Sequence, residues 1–269
     1  MDDLDGRLAR PGAELRFQDA GGDGPAVVLL HGAGMDRTAF AAQRTALADA
    51  GWRPIAVDLR GHGASVLDDD ARFTIADAMG DIGALIDHLS LERPILVGHS
   101  LGGNLAQLFV RHHPERVGGL VVIGSTWNTG PLTFGERIGI RLAAPTLRMI
   151  PASRLPQMMA GASAVRPEAV AEIRTVFERM GKARFAEVWT ATIGLVAPDP
   201  GYRTPVPLAL IRGAEDATGN IATAMPRWAE TDGAGEHVIP GAGHVVMLDA
   251  PEETSRVLLE VLSSLHGAP

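Results

Sequence analysis

The stretch Ile95-Leu96-Val97-Gly98-His99-Ser100-Leu101-Gly102-Gly103 decides how this chain is read. A short apolar run ends at a serine with glycines two residues before and two after it, and a long helical pattern follows. Physically this is a strand that stops, turns sharply at one residue and starts a helix. The residue at that turn is pushed out of the sheet with its hydroxyl exposed, at the positive end of a helix dipole. Gly98 and Gly102 suit the turn because strand and helix crowd together there, leaving no room for a side chain.

Outward from that turn the chain alternates strand and helix. Upstream, residues 26–30 (Ala-Val-Val-Leu-Leu) form the continuous apolar run of a strand buried on both faces, ending in His31-Gly32-Ala33-Gly34. Residues 15–18 alternate as a half-buried strand does, between the turn Arg10-Pro11-Gly12 and the loop at 21–25. Residues 40–50 read as a helix ended by Gly51, and residues 55–58 as a second buried strand leading into Arg60-Gly61-His62-Gly63. Apolar positions 75, 79, 82, 85, 86 and 89 make a helical stripe. Downstream, a helix over 101–113 stops before Pro114, and residues 120–123 are another buried strand.

Then the rhythm breaks. Between about residues 126 and 204 helical patterns replace strands, the clearest over 168–180 and 184–195. Strands resume at 207–211 and 236–239, and a helix over 251–265 closes the chain. The alternation predicts an α/β fold with a mostly parallel central sheet and helices on both faces. The domain is expected in two pieces, 1–125 and 205–269, with 126–204 as a helical insertion.

Composition narrows the chemistry. The 269 residues carry a net charge of −8, which disfavours nucleic acid and anionic membrane surfaces as partners. The absence of cysteine excludes disulfides, thiolate metal sites and a cysteine nucleophile. The acidic opening Met1-Asp2-Asp3-Leu4-Asp5 lacks the apolar core of a secretory signal, and no apolar run is long enough to span a bilayer. The expectation is a soluble, cytoplasmic protein acting on a small molecule, with no metal or organic cofactor called for.

With these elements in place, Gly98-x-Ser100-x-Gly102 between strand and helix resembles the nucleophile elbow of the α/β-hydrolase superfamily. The resemblance covers about residues 14–265 apart from the insertion, which in that family forms a cap or lid over the carboxyl ends of the strands. It implies a serine nucleophile, and disfavours the epoxide and halide chemistry of relatives that carry aspartate at the elbow. A serine hydroxyl needs a base, the base needs a carboxylate partner, and the tetrahedral oxyanion needs donors in place. Of the nine histidines, His244 stands out: it lies in the loop Pro240-Gly241-Ala242-Gly243-His244 directly after the last strand. The residues that follow, through Val245 to Glu252, resemble the family's histidine loop and subsequent helix. His99 and His31 adjoin the turns through their backbones, and His88, His112, His113 and His266 sit at helix ends. For the acid, Gly124-Ser125-Thr126-Trp127-Asn128 offers no carboxylate. Arg212-Gly213-Ala214-Glu215-Asp216 offers Asp216 at the family's usual position, with Glu215 as the alternative. The resemblance implies an oxyanion hole from the backbone N–H groups of Leu101 and Ala33, with Gly34 a possible substitute for the latter. The segment Asp58 to Ser65 also matches a stretch common in the superfamily and reads as a structural loop.

A serine, histidine and aspartate in this order imply acyl chemistry through an acyl-enzyme. The expected substrate is a small to medium, largely apolar carboxylic ester or lactone. Carbon–carbon bond hydrolysis and cofactor-free haloperoxidase or perhydrolase chemistry use the same triad, and a slow-turnover ligand receptor is the alternative of another class. Expected pocket residues are Gly32, Gly34, Met35, Trp127, Met158, Trp189 and Val245, with Phe40, Met159 and Met247 as further candidate walls. The insertion carries net +4 and the remainder −12. A basic lid could attract an anionic substrate, although arginines facing water or pairing with the body explain that charge more simply.

Overall fold

The computed structural model describes residues 4–267, so residues 1–3 and 268–269 of the expected division lie outside the described residues. The chain opens with an antiparallel pair, β1 (Leu4–Arg10) and β2 (Ala13–Asp19), joined at Pro11-Gly12. Strand β3 (Ala26–Leu30), helix α1 (Ala41–Asp49), β4 (Arg53–Asp58) and the short β5 (Val66–Leu67) follow. Next come α2 (Ile75–His88), β6 (Ile95–His99), α3 (Leu101–His112) and β7 (Gly119–Ile123). Four helices then run without a strand: α4 (Phe134–Met149), α5 (Leu155–Ser163), α6 (Pro167–Met180) and α7 (Lys182–Ile193). Strand β8 (Leu208–Gly213), α8 (Ile221–Asp232), β9 (Gly235–Ile239), the single turn α9 (Val246–Asp249) and α10 (Pro251–His266) complete the fold.

The strands form one sheet in the order β1-β2-β4-β3-β6-β7-β8-β9, with β5 paired to β2. From β4 to β9 every pairing is parallel. Buried strands alternate sides residue by residue, as the period of two demands. Val28, Leu30, Leu96, Leu120, Val122 and Leu210 join the core under α2, α3 and α8. Val27, Leu29, Val97, Val121, Ile123 and Ile211 join the core under α1 and α10. This is the α/β fold expected, with both faces of the sheet covered.

Beyond the expectation are β1, the two-residue β5, α8, which spans Pro226, and the single turn α9. The sheet order reverses between β3 and β6, so their carboxyl ends open into one crevice, the place where parallel α/β sheets bind ligands. The loop at residues 31–35 and Ser100 both emerge there. The segment from Asp58 to Ser65 is structural, as expected. Asp58 accepts from the Ala64 N–H (2.8 Å) and the Arg37 N–H (2.7 Å), and Arg60, almost fully buried, makes two 2.7 Å bonds to Asp81.

Candidate active site

Ser100 occupies a backbone conformation that L-residues rarely adopt, φ 50° and ψ −116°, at the junction of β6 and α3. Such strain persists only where the surroundings hold it. Here the Ser100 N–H donates to the Ile123 carbonyl (3.0 Å), and its own carbonyl accepts from the Asn104 N–H (2.9 Å) and Ser125 Oγ (2.9 Å). A side chain at Gly98 would overlap the backbone of Gly102, and one at Gly102 would overlap the Leu30 carbonyl. The glycine spacing thus has the steric cause inferred from the sequence.

His244 follows β9 in a loop whose Gly243 is held by a 2.7 Å bond from its N–H to Asp249. His244 Nδ1 lies 3.0 Å from Asp216 Oδ2, both side chains being buried. Since an ionised carboxylate only accepts, Nδ1 carries the proton and the Nε2 lone pair is left to act as a base. Burial by itself would push the Asp216 carboxyl up. Hydrogen bonds from His244 and from Thr218, whose N–H donates at 2.8 Å, outweigh it and hold the carboxyl below the usual range. Glu215 is exposed and borders the same cavity as His244, but the carboxylate bonded to His244 Nδ1 is that of Asp216.

The loop after β3 makes a tight turn in which the Met35 N–H donates to the Gly32 carbonyl (3.1 Å), with Gly34 at φ 77°. The glycine meets the demand of a type II turn for positive φ at its third residue. The turn is pinned from behind by His31, whose Nε2 accepts from the Leu59 N–H (3.0 Å), so that Nδ1 donates to the Gly32 carbonyl (2.8 Å). Burial drives the His31 pKa down to about 4, keeping it neutral. The Gly102 N–H donates to the His31 carbonyl (3.1 Å), tying elbow and turn together. Among the described residues, neither the Ala33 nor the Leu101 N–H has a protein acceptor. Both are therefore left to bind water or a ligand acceptor.

A cavity of about 380 Å³ brings Ser100 and His244 together with Ala33, Met35, Trp189 and Val245. Met159, Phe177, Glu215, Ala217, Thr218 and residues 161–165, at and just past the end of α5, also line it, together with His99 and Gly243. Other expected pocket residues do not line it. Trp127 is buried elsewhere, stacked nearly parallel on Trp228 of α8 with ring centroids 5.9 Å apart. Met158 points outward from α5 and is 51% exposed, whereas its neighbour Met159, a helical step of about 100° on, faces the cavity. Gly32 lies behind the wall, where a Cβ would meet His99 Nδ1 at 2.8 Å and Ser100 Cβ at 3.1 Å. Gly34 is covered by the Phe177 ring, and Phe40 and Met247 are core. No Lys or Arg lines the cavity, so the insertion's positive charge does not reach it. Three of the insertion's arginines pair with its own carboxylates, in Arg166–Glu168, Arg174–Glu178 and Arg184–Glu187, and Arg203 pairs with Asp232 of α8 (3.8 Å).

One contributor was not foreseen. The His99 ring is buried beside His244, with centroids 4.7 Å apart, and its Nε2–H donates to the His244 carbonyl (3.1 Å). Burial and the adjacent His244 hold the His99 pKa well below its ordinary value. A neutral ring next to the serine thereby fixes the backbone of the histidine loop. Its place beside the serine was visible, but its partner lies 145 residues away.

A buried, carboxylate-paired histidine and a strained serine at the switch point of a parallel sheet define the hydrolase class of α/β proteins. The comparison with known proteins agrees: residues 27–257 match the model of the alpha/beta hydrolase family, and the chain belongs to that family of enzymes. A 2-hydroxy-6-oxononadienedioate/2-hydroxy-6-oxononatrienedioate hydrolase of Burkholderia vietnamiensis is 30% identical over 95% of this chain and 93% of its own length. Among solved structures, a thermophilic esterase from Thermogutta terrifontis superposes with a TM-score of 0.78 at 28% identity, covering 99% of this chain and all of that one. The enol-lactonase from Burkholderia xenovorans gives 0.79 at 23% identity over 96% of this chain and all of its own, a likeness of fold.

Proposed function

We propose that the protein is a serine hydrolase that cleaves an uncharged, largely apolar carboxylic ester through an acyl-enzyme. The observation that carries this reading is the 3.0 Å His244–Asp216 hydrogen bond beside a cavity that also holds the strained Ser100. Ser100 Oγ attacks the ester carbonyl as His244 Nε2 takes its proton, and Asp216 stabilises the imidazolium. The N–H groups of Ala33 and Leu101 hold the oxyanion. His244 then protonates the departing alcohol and activates the water that releases the acid. Residues 126–204 act as the cap whose α5, α6 and α7 close the cavity from above.

The absence of Lys and Arg from the wall separates this reading from one on a dicarboxylate, the substrate type in the name of the Burkholderia vietnamiensis relative. A buried carboxylate without a counter-charge costs several kcal/mol, so an anionic substrate is disfavoured here. The test uses p-nitrophenyl acetate and butyrate with labelling by a fluorophosphonate. The wild type hydrolyses the esters and is labelled, while Ser100→Ala loses roughly 10⁴-fold in kcat and all labelling. Near-normal turnover by Ser100→Ala would overturn the role of the serine. A wild type without turnover or labelling would instead indicate a ligand receptor.

A further inference from the structure

A second cavity, of about 510 Å³, lies under α4 against α7. Its apolar wall comes from Leu132, Ile140, Ala143, Ile193 and Val196. Trp189 and Thr218 line both this chamber and the cavity holding Ser100 and His244, so the two spaces meet at those residues. Two of the polar side chains on the chamber wall, Glu136 and Asn104, are already engaged with the protein. Glu136 Oε1 accepts from Asn220 Nδ2 (2.6 Å), and Asn104 Nδ2 donates to the Thr126 carbonyl (3.0 Å) and to Asn128 Oδ1 (2.6 Å). No Lys or Arg lines it.

The glycines on its wall add an independent observation. Gly135 and Gly139 lie one turn apart inside α4 on the side that borders the chamber. Glycine inside a helix costs about 1 kcal/mol relative to alanine. Neither has positive φ, and a Cβ built at either meets nothing within 4 Å. Backbone conformation and close packing therefore do not call for glycine at these positions. Both glycines are solvent-exposed and border the chamber, so a long side chain at either is placed to reach into it.

We propose that this chamber is a binding site for an uncharged hydrocarbon arm of medium length on the substrate, bordered by Gly135 and Gly139 of α4 and entered past Trp189 and Thr218. The proposal rests on the serine-hydrolase reading for the placement of the ester at Ser100. It adds the substrate's second part: an unbranched or lightly branched apolar chain, carried on the acyl or the alkoxy side.

The experiment compares wild type with Gly139→Leu on p-nitrophenyl acetate, p-nitrophenyl octanoate and octyl acetate. For the variant, kcat/KM on p-nitrophenyl acetate stays within about twofold, because the serine, histidine and amide donors are untouched. On one or both eight-carbon substrates it falls by at least about tenfold, mainly through KM, as several methylenes lose their buried site. Octanoate alone responding assigns the arm to the acyl side, and octyl acetate alone assigns it to the alkoxy side. An unchanged ratio of long- to short-chain activity for both overturns the proposal. Should Gly139→Leu fail to fold, Gly135→Leu carries the same comparison. Calorimetric binding of 2-decanone keeps the two readings distinguishable, since it needs no turnover. If the wild type hydrolyses no ester, the serine-hydrolase reading fails. Weaker 2-decanone binding by the variant then still supports the chamber, and equal or undetectable binding by both proteins refutes it.

Discussion

Asp249 offers the sharpest test of how the helical insertion and the His244 loop are joined. Its buried carboxylate accepts from the N–H groups of Val165 (2.9 and 3.0 Å) and Arg166 (2.9 Å), in the turn between α5 and α6. It also accepts from the Gly243 N–H (2.7 Å), immediately before His244. The Val245 N–H adds a parallel tie to the Ser163 carbonyl (2.9 Å). Asp249→Ala removes one acceptor shared by three backbone donors. The Gly243 bond is buried, and an orphaned N–H there costs about 1–3 kcal/mol. The donors at Val165 and Arg166 are only partly buried and can turn to water, so each loses only the low end of the net value of a bond to a charged group, about 1.5 kcal/mol. Release of the buried charge returns part of the sum, leaving a loss of about 3 kcal/mol. For a chain of this size that lowers Tm by roughly 6–12 °C. Asp249→Asn keeps one carbonyl oxygen but sets an amide donor against at least one N–H, and should lose about half as much. Thermal and urea unfolding measure the stability. Ester turnover well below Tm measures the second effect, a drop in kcat of about tenfold as Gly243 and His244 lose their anchor. An Asp249→Ala protein within about 1 kcal/mol of wild type and with unchanged kcat would refute the clamp.

Acid should destabilise the fold through its buried histidines. Burial depresses His31 to about 4 and His62 to about 3, so between there and the ordinary value of 6.5 the unfolded chain binds more protons. Stability is then complete above pH 6.5 and is lost as pH falls, by about 2 kcal/mol per histidine between pH 6.5 and 5. A urea midpoint that stays flat from pH 7 to pH 5 would contradict this. Asp81→Ala strips the almost fully buried Arg60 of its bidentate partner and leaves it Asp77 at 3.3 Å. A loss of about 3–5 kcal/mol with unchanged kcat is expected, and a fall in kcat at full stability would make the loop catalytic instead of structural.

The parts of this protein legible in its sequence are those whose cause is local. Strands buried on both faces appear as apolar runs, and the elbow declares itself because two backbones touching Gly98 and Gly102 exclude every side chain. The histidine and acid loops follow strands that are themselves legible. Strand β1 was missed because Leu-Asp-Gly-Arg-Leu-Ala-Arg has no clean alternation, its pairing with β2 being what makes it a strand. Helix α8 was missed because Pro226 interrupts the pattern its buried Ile221, Met225 and Trp228 would otherwise show.

Pocket walls fail for a different reason. Residue type says that Trp127, Met158 and Met159 are apolar, but not which face of an inserted helix turns inward. One helical step separates the cavity-facing Met159 from the exposed Met158. Asp249 shows the same limit from the polar side. It stands in plain view between His244 and Pro251, yet its meaning depends on two N–H groups 84 and 83 residues upstream. Backbone requirements of a turn are written within five residues of it. The docking of an insertion is written only in the pairing of distant surfaces, and the shape of the cavity beneath it depends on that docking.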